Sequence, residues 1–368
     1  MIIRCNQALL GEAVAIVSRA VPPKSSIPAL EGIYMKAAGK TISLTGYNLD
    51  IGISTSLDGE VEKEGDIVLN AKLLLDIVRR LPGETVEISV DERYLANILS
   101  GEAEYTILGM AAAEFPQLPD VSSTENISLP QPVLKSMINQ TSFAISLSED
   151  KPVHTGALFV MENQILTVVA VDGFRLALRK EKLSFANDLK FVVPRSTLIE
   201  VSRILKDDDE ENVLLMVSRK HIIFNIGNYL VVSRLLEGEF LDYKSAIPKN
   251  TSTTAVVGTR DMIESIERTS LLISDRLRSP LKVRIAEKKI KISCTTSLGK
   301  ANDSFMAQLT GDSVEMGFNH RYLLDALRAC DGDRTKLEIA GALSPMKVLP
   351  LEGDSYLFLV LPVRLKNE

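Results

Sequence analysis

Leu74-Leu75-Asp76-Ile77-Val78-Arg79 returns in the same chain as Leu198-Ile199-Glu200-Val201-Ser202-Arg203 and again as Leu323-Leu324-Asp325-Ala326-Leu327-Arg328. The acidic residue stands at 76, 200 and 325, a period of 124 and then 125 residues, which is one domain length. A phrase repeated at that spacing implies one fold written three times. Helical periodicity puts Leu74, Ile77, Val78 and Leu81 on one face and Lys72, Asp76, Arg79 and Arg80 on or beside the other. The first face should pack on a sheet, leaving the second free.

Working outward, each third opens with an amphipathic helix, expected at 6–18, 131–146 and 259–274. Strand pairs follow: 29–35 with 41–46, 155–160 with 165–170, and 281–285 with 289–294. A further strand leads into the repeated helix at 67–70, 191–194 and 316–319, where Asn70 and Asn319 suit helix N-caps and Pro194 suits a helix start. Alternating strands follow each helix at 85–90, 213–217 and 336–340. Helices and strands alternate irregularly, which predicts an α+β domain of two helices and antiparallel sheet, with boundaries near 121 and 250 at the linker-like segments Phe115-Pro116-Gln117-Leu118-Pro119 and Ile247-Pro248-Lys249-Asn250. The domains are thus 1–121, 122–250 and 251–368.

Of the 368 residues, 45% are hydrophobic and 24% charged, and mean hydropathy is +0.11, values of a soluble globular chain with no stretch able to span a bilayer. The start of the chain reads as the first helix of the fold, because Glu12 interrupts its apolar run. Cys5, Cys294 and Cys330 are odd in number and far apart, which argues against a disulfide framework or a zinc site and fits a reducing cytoplasm. Net charge is -6, unevenly spread: residues 1–121 carry 10 Lys+Arg against 17 Asp+Glu, residues 122–250 carry 15 against 16, and residues 251–368 carry 17 against 15.

The helices suggest a use for the repeat. Charged helix faces are ordinarily solvated and laced with ion pairs such as Asp76 with Arg79. Three domains of two helices, however, give six helices, and a symmetric dimer gives twelve. Twelve helices about 10 Å wide, side by side in a circle, enclose a hole of about 28 Å, whereas six leave only about 9 Å. Only the larger ring admits a nucleic-acid duplex. Basic side chains lining it would touch phosphates without reading bases, giving sequence-independent, salt-sensitive binding.

Five stretches carry a resemblance along almost the whole chain: 44–49 (Leu-Thr-Gly-Tyr-Asn-Leu), 169–177 (Val-Ala-Val-Asp-Gly-Phe-Arg-Leu-Ala), 237–243 with 247–250, Gly317-Phe318-Asn319, and Leu361-Pro362-Val363-Arg364-Leu365. Their order and content resemble the beta sliding clamps of bacterial DNA polymerase III. The resemblance implies a non-catalytic, cofactor-free ring of two head-to-tail copies, helices inside and sheets outside, that encircles duplex DNA. It implies as partners the replicative polymerase's catalytic subunit, an ATP-driven clamp loader, and repair factors with short clamp-binding motifs. Carried over residue by residue, the peptide pocket comprises His154, Val171, Gly173, Arg175, Leu176, Leu241, Ala246, Asn319, Tyr322, Leu343, Met346, Val360, Leu361, Pro362, Val363 and Arg364. Such a cleft would bury a short peptide's apolar anchors, with Arg175 and Arg364 on its polar atoms. His154 and Leu241 depart from the family's leucine and proline, and Ser245-Ala246 is smaller than its usual basic and branched pair. The implied DNA contacts are Lys24, Lys72, Arg79, Arg80, Lys151, Arg195, Arg203, Lys206, Arg276 and Arg278, and the implied subunit contact joins Tyr105 and Ile107 to the partner's third domain at the positions of Leu271 and Leu272. The tail Lys366-Asn367-Glu368 runs past the usual end.

An enzyme would need convergent reactive groups, and His154, His221 and His320 are isolated, without HExxH, GxSxG or a phosphate-binding loop. The acidic run 207–211 reads as a solvated loop rather than a metal site. The alternative to a ring is a monomeric peptide-docking scaffold that does not surround DNA. Solution mass and retention on closed circular DNA separate the two.

Overall fold

A computed structural model describes residues 1–119, 121, 125–185, 187–207, 211–274 and 279–365. Arg276, Arg278, most of the acidic run (208–210) and the tail 366–368 lie outside the described residues.

Seven helices occur among the described residues: α1 Gln7–Val17, α2 Ala71–Val78, α3 Gln131–Ser142, α4 Arg195–Ile204, α5 Tyr243–Ala246, α6 Thr259–Ser270 and α7 His320–Arg328. The apolar stripes explain them. Leu10, Ala13, Val14 and Val17 are buried on α1, and Leu134, Met137 and Ile138 on α3. On α2 the buried set is Ala71, Leu74, Ile77 and Val78; on α7 it is Leu323, Leu324, Ala326 and Leu327. Asn70 Oδ1 accepts from the Leu73 amide at 3.0 Å and Asn319 Oδ1 from the Arg321 amide at 3.0 Å, so both asparagines cap as the sequence predicts. Asn6 is also a cap, accepting from Leu9, rather than a helical residue. Pro194 ends a strand, with α4 beginning one residue later. The α3 and α6 helices stop four residues short of expectation. Tight turns from Thr141 to Ala144 and from Ser270 to Ile273 close them, and the hydroxyls of Thr141 and Thr269 donate back to the carbonyls of Met137 and Ser265.

The chain forms two compact units, Met1–Leu134 with Glu200–Leu235, and Lys135–Ile199 with Leu236–Glu368. The first holds a five-stranded sheet, in the order Glu60–Lys63, Ile2–Asn6, Thr85–Val90, Leu95–Ser100, Ala103–Leu108. Its eight-stranded sheet runs Glu125–Pro130, Asn212–Val217, His221–Ile226, Tyr229–Arg234, Ile51–Asp58, Thr41–Tyr47, Gly32–Ala38, Gly65–Asn70. The second unit holds a nine-stranded sheet, Leu189–Pro194, Gly156–Glu162, Ile165–Val171, Arg175–Lys182, Tyr356–Val360, Met346–Leu349, Arg334–Ile339, Thr253–Gly258, Gln308–Gly311. Its four-stranded sheet is Gly299–Met306, Lys289–Thr296, Leu281–Ala286, Val314–Phe318. The sequence expected a strand from residue 29; Pro28–Glu31 is instead a 3-10 turn, with Pro28 at its start.

These sheets cross the sequence repeats. In the first unit, Tyr229–Arg234 of the second third pairs antiparallel with Ile51–Asp58 of the first, Val231 opposite Ile53. In the second, Tyr356–Val360 of the last third pairs with Arg175–Lys182 of the second, Phe358 opposite Ala177. The two joints are equivalent. Val231 and Phe358 are reached through the same hairpin ladder, via Phe224 and Leu215 in one repeat and Val348 and Leu337 in the other. The Arg234 amide donates to the Asp50 carbonyl at 2.9 Å, just as the Leu361 amide donates to that of Phe174 at 2.9 Å. The same ladder in the first third, Ile88 to Ile98 to Tyr105, ends on Ala103–Leu108, the last strand of its sheet. Gly299–Met306, the third repeat's counterpart of Ile51–Asp58 and Arg175–Lys182, is likewise an end strand.

Candidate functional site

The candidate groove lies wholly in the second unit and is organised by a turn. Asp172 Oδ1 accepts from the amides of Phe174 and Arg175 at 3.0 and 3.1 Å, and Gly173 sits between them at φ 88°, a left-handed conformation that glycine adopts without strain. The turn aims Arg175. Its Nε donates to Asp172 Oδ2 at 2.8 Å, its Nη1 donates to Asp325 on α7, and its guanidinium carbon lies 4.5 Å from the Tyr322 ring centroid and 5.5 Å from that of Phe143. Phe174 stacks on Tyr322 at 5.8 Å with 58% of its surface exposed. Tyr322 and Asp325 stand three residues apart on α7 and so face the same side.

The chain's end closes this wall. Leu361 bonds to Phe174 as described, and the Val363 amide donates to the Gly317 carbonyl at 2.9 Å, leaving both side chains about two-fifths exposed. Beneath lies an apolar cluster that includes Val153, Val171, Leu176, Phe240 and Tyr243. His154 packs edge-on against Phe240 at 5.0 Å; burial first, then the Lys151 charge, lowers its imidazole below the ordinary histidine range and favours the neutral ring.

The structure therefore brings together Val171, Gly173, Arg175, Leu176, Tyr322 and Leu361, with His154 over the apolar cluster. Leu241 and Leu343 are exposed, at 43% and 78%, and Arg364 is exposed without an ion pair among the described residues. Ala246 ends α5, Pro362 is half-buried, and Asn319 is engaged as a helix cap. Met346 and Val360 face each other across a ladder with no exposed surface, so they support the groove from below rather than line it. Two hollows of about 600 Å³ lie elsewhere, one beside Cys5 and Gly59, the other beside Asp261 and Met306.

The basic candidates Lys24, Lys72, Arg79, Lys151 and Arg195 are exposed and carry no ion pair among the described residues. Arg80, four residues on, pairs with Asp76 at 3.2 Å in place of the expected Arg79, both spacings being able to bring the side chains together on a helix. Arg203 pairs with Glu200 at 2.7 Å, and Lys206 lies 4.0 Å from Glu211. Of the subunit-contact candidates, Tyr105 is 37% exposed and Leu271, just past the end of α6, is 83% exposed; Ile107 and Leu272 are half-buried.

Family models for the N-terminal, central and C-terminal domains of the DNA polymerase III beta subunit match residues 1–119, 128–242 and 244–364 in turn. The chain belongs to this beta-subunit family. It is 35% identical over 368 residues to the beta sliding clamp of Bacillus subtilis, covering 96% of this chain and 97% of the relative. A crystal structure of the DNA polymerase sliding clamp from Bacillus subtilis superposes with a TM-score of 0.96 at 34% identity, covering 100% of both chains. The beta subunit from the DNA polymerase of Streptococcus pyogenes gives 0.94 at 28% identity, covering 99% of this chain and 100% of that one. The three-domain beta-clamp fold is thus shared from end to end.

Within this clamp fold, residue-type reasoning passed over Phe174, Phe143 and Asp325. Phe174 lies inside the quoted stretch 169–177 and could have been taken with it. Asp325 was visible as the repeat's acidic mark, but its partner stands 150 residues away and only the fold joins them. No helix among the described residues is long and apolar enough to cross a membrane.

Proposed function

We propose that two copies of this chain close head-to-tail into a ring, helices inside and sheets outside, that encircles duplex DNA without reading sequence. The ring serves as the processivity factor of a replicative polymerase. One observation carries this reading: the three repeats are joined in series by two equivalent strand-to-strand joints, and among the described residues one example of each strand type, Ala103–Leu108 and Gly299–Met306, is left with an open edge. Joining them between copies completes the series and removes the exposed edges. The register follows from the repeat. Tyr105 holds the place of Val231 and Phe358, and Ala301 that of Ile53 and Ala177, since Gly46, Ala170 and Cys294 face those three in their hairpins. Tyr105 of one copy therefore faces Ala301 of the other. Leu271, at the repeat position of Phe143, meets Tyr105 there as Phe143 meets Phe358, 5.4 Å apart in centroids.

The domains are bounded near residues 121 and 250. Lys24, Lys72, Arg79, Arg80, Lys151, Arg195, Arg203 and Lys206, with Arg276 and Arg278, contact phosphates. The groove at Arg175 takes short apolar-anchored peptides from the polymerase's catalytic subunit, the clamp loader and repair factors in the cytoplasm. The chain itself is not an enzyme and uses no cofactor. A monomeric scaffold would leave both strand edges open and finds no counterpart in the family matches.

The test is retention on DNA. Protein loaded on closed circles should stay bound at a salt concentration that strips simple phosphate contacts, and should leave when the circle is cut. Loss from intact circles at the same rate as from linear DNA would refute the ring.

A further inference from the structure

The unequal charge of the three repeats is absorbed neither by the groove nor by the basic helix positions. Extending the register given above from Tyr105 and Ala301 sets Glu104 opposite Asn302, Thr106 opposite Lys300, and Ile107 opposite Gly299, in the pattern of the internal joint Tyr229–Ser233 on Ile51–Thr55. Strand alternation then sorts the faces. Tyr105 and Ala301 turn toward α6, as Phe358 turns toward Phe143. Glu104, Thr106, Lys300 and Asn302 turn the other way, and all four are exposed.

On that outward face the two edges carry opposite charge. The first repeat presents Glu104, flanked by Glu102 in the preceding turn. The Glu104 carboxylate accepts a hydrogen bond from Asn97 Nδ2 at 3.0 Å and has no cation beside it among the described residues. The third repeat presents Lys300, with Lys291 on the adjoining strand, and neither has a carboxylate partner among the described residues. The one acidic residue inside that end strand, Asp303, belongs to the inward face and is held by Arg268 at 2.8 Å. The internal joints differ. Their outward positions are largely apolar, with Leu230 and Val232 in one and Leu357 and Leu359 in the other.

We infer that Glu104 of one copy and Lys300 of the other form a charge pair across the joint between copies, which favours a second copy of this chain as partner. The inference rests on the head-to-tail reading. Glu104 is diagonal to Lys300, a spacing of roughly 7–8 Å between backbones that two long side chains can bridge. A slip of two residues would set Glu104 directly opposite Lys300 or Ser304 but would spoil the inward match of Tyr105 with Ala301, so packing sets the register and the charge pair adds attraction across it. Opposite fields at the two ends also steer encounter between copies.

Charge exchange tests it. Glu104→Lys makes both joints of a self-paired ring lysine against lysine, and Lys300→Glu makes both glutamate against glutamate. Mixed, the two variants form a ring in which both joints are complementary again. Sedimentation or light scattering at low ionic strength should give wild type at twice the chain mass, each variant alone with a dimer Kd raised roughly tenfold or more, and an equimolar mixture recovered to near the wild-type value. The recovered mixture also certifies that both variants fold. Added salt should shrink the difference. Monomeric wild type would sink the head-to-tail reading itself. Dimeric wild type with variants that pair equally well alone, or a mixture no tighter than its components, would overturn the Glu104–Lys300 pair and leave the ring standing.

Discussion

Arg175 and Asp325, 150 residues apart in sequence, share a hydrogen-bonded ion pair at the joint between the second and third repeats. Only 13% of the Arg175 side chain is exposed, and the same guanidinium holds Asp172 and covers Tyr322. The residue is thus a structural tie of this turn, besides its place in the proposed peptide groove.

Replacing Arg175 with alanine leaves Asp172 and Asp325 without their shared cation. The expected loss is about 2–4 kcal/mol, on the scale of breaking a partly buried ion pair from one side. A lower urea midpoint would register it, with at least tenfold weaker binding of a labelled clamp-binding peptide. Asp325→Asn, which keeps a hydrogen-bond acceptor, should cost less on both counts. Equal stability of Arg175→Ala and wild type would contradict the account of this turn.

Lys347 and Glu338 form a second tie, 2.7 Å apart, with the lysine side chain 9% exposed and also donating to Thr251. Burial alone would raise the Glu338 carboxyl, but the Lys347 hydrogen bond and charge, with the Lys336 charge and the Thr251 hydrogen bond, together outweigh it and lower it. Glu338→Gln should cost about 3 kcal/mol by stranding a buried ammonium, and the paired replacement of both residues by apolar ones should cost much less. Thermal denaturation of the two variants makes the comparison.

Acidification should weaken the fold through His154 and His221. Burial is the first cause in each case, joined by Lys151 for one and by Arg234 and Lys220 for the other, and both pKa values are lowered. Between the ordinary histidine pKa and the lowered folded one, the unfolded chain binds more protons than the folded chain, so stability rises with pH there and falls as pH drops. His154→Asn should flatten that part of the stability profile measured from pH 7 downward. An unchanged slope in this variant and in His221→Asn would tell against it.

For DNA, exposed cations acting on phosphates predict a salt slope rather than a sequence preference. Neutralising one contacting residue, with Lys72→Gln as the first case, should lower the slope of log K against log salt by about 0.9 and weaken all duplexes alike. Fluorescence anisotropy on unrelated duplexes measures both. A sequence-selective loss would contradict the reading.

The repeat, the helix faces and the order of strands were legible because burial imposes a 3.6 or 2 period on each segment, as Leu74, Ile77 and Val78 or Ile127 and Leu129 show. Helix ends were less so: Thr141 and Thr269 bond back to the preceding turn and stop α3 and α6 early, a choice the apolar pattern does not encode. The turn at Gly173 was legible as Asp-Gly. That its arginine would meet Asp325, or that Met346 and Val360 would be wholly buried, depended on pairing between distant strands. Asp76 choosing Arg80 over Arg79 was a rotamer matter beyond sequence spacing.

The measurement closest to the central claim is a cross-link across the joint between copies. Directly opposed antiparallel residues stand about 4.5–5.5 Å apart at Cα, inside the range a disulfide spans. The double variant Tyr105→Cys with Ala301→Cys, loaded on nicked circular DNA and oxidised, should give a dimer that remains threaded on the circle in denaturing detergent and falls off when the circle is linearised. Oxidation that yields no cross-linked dimer, or a dimer that leaves intact circles in detergent, would contradict the closed ring.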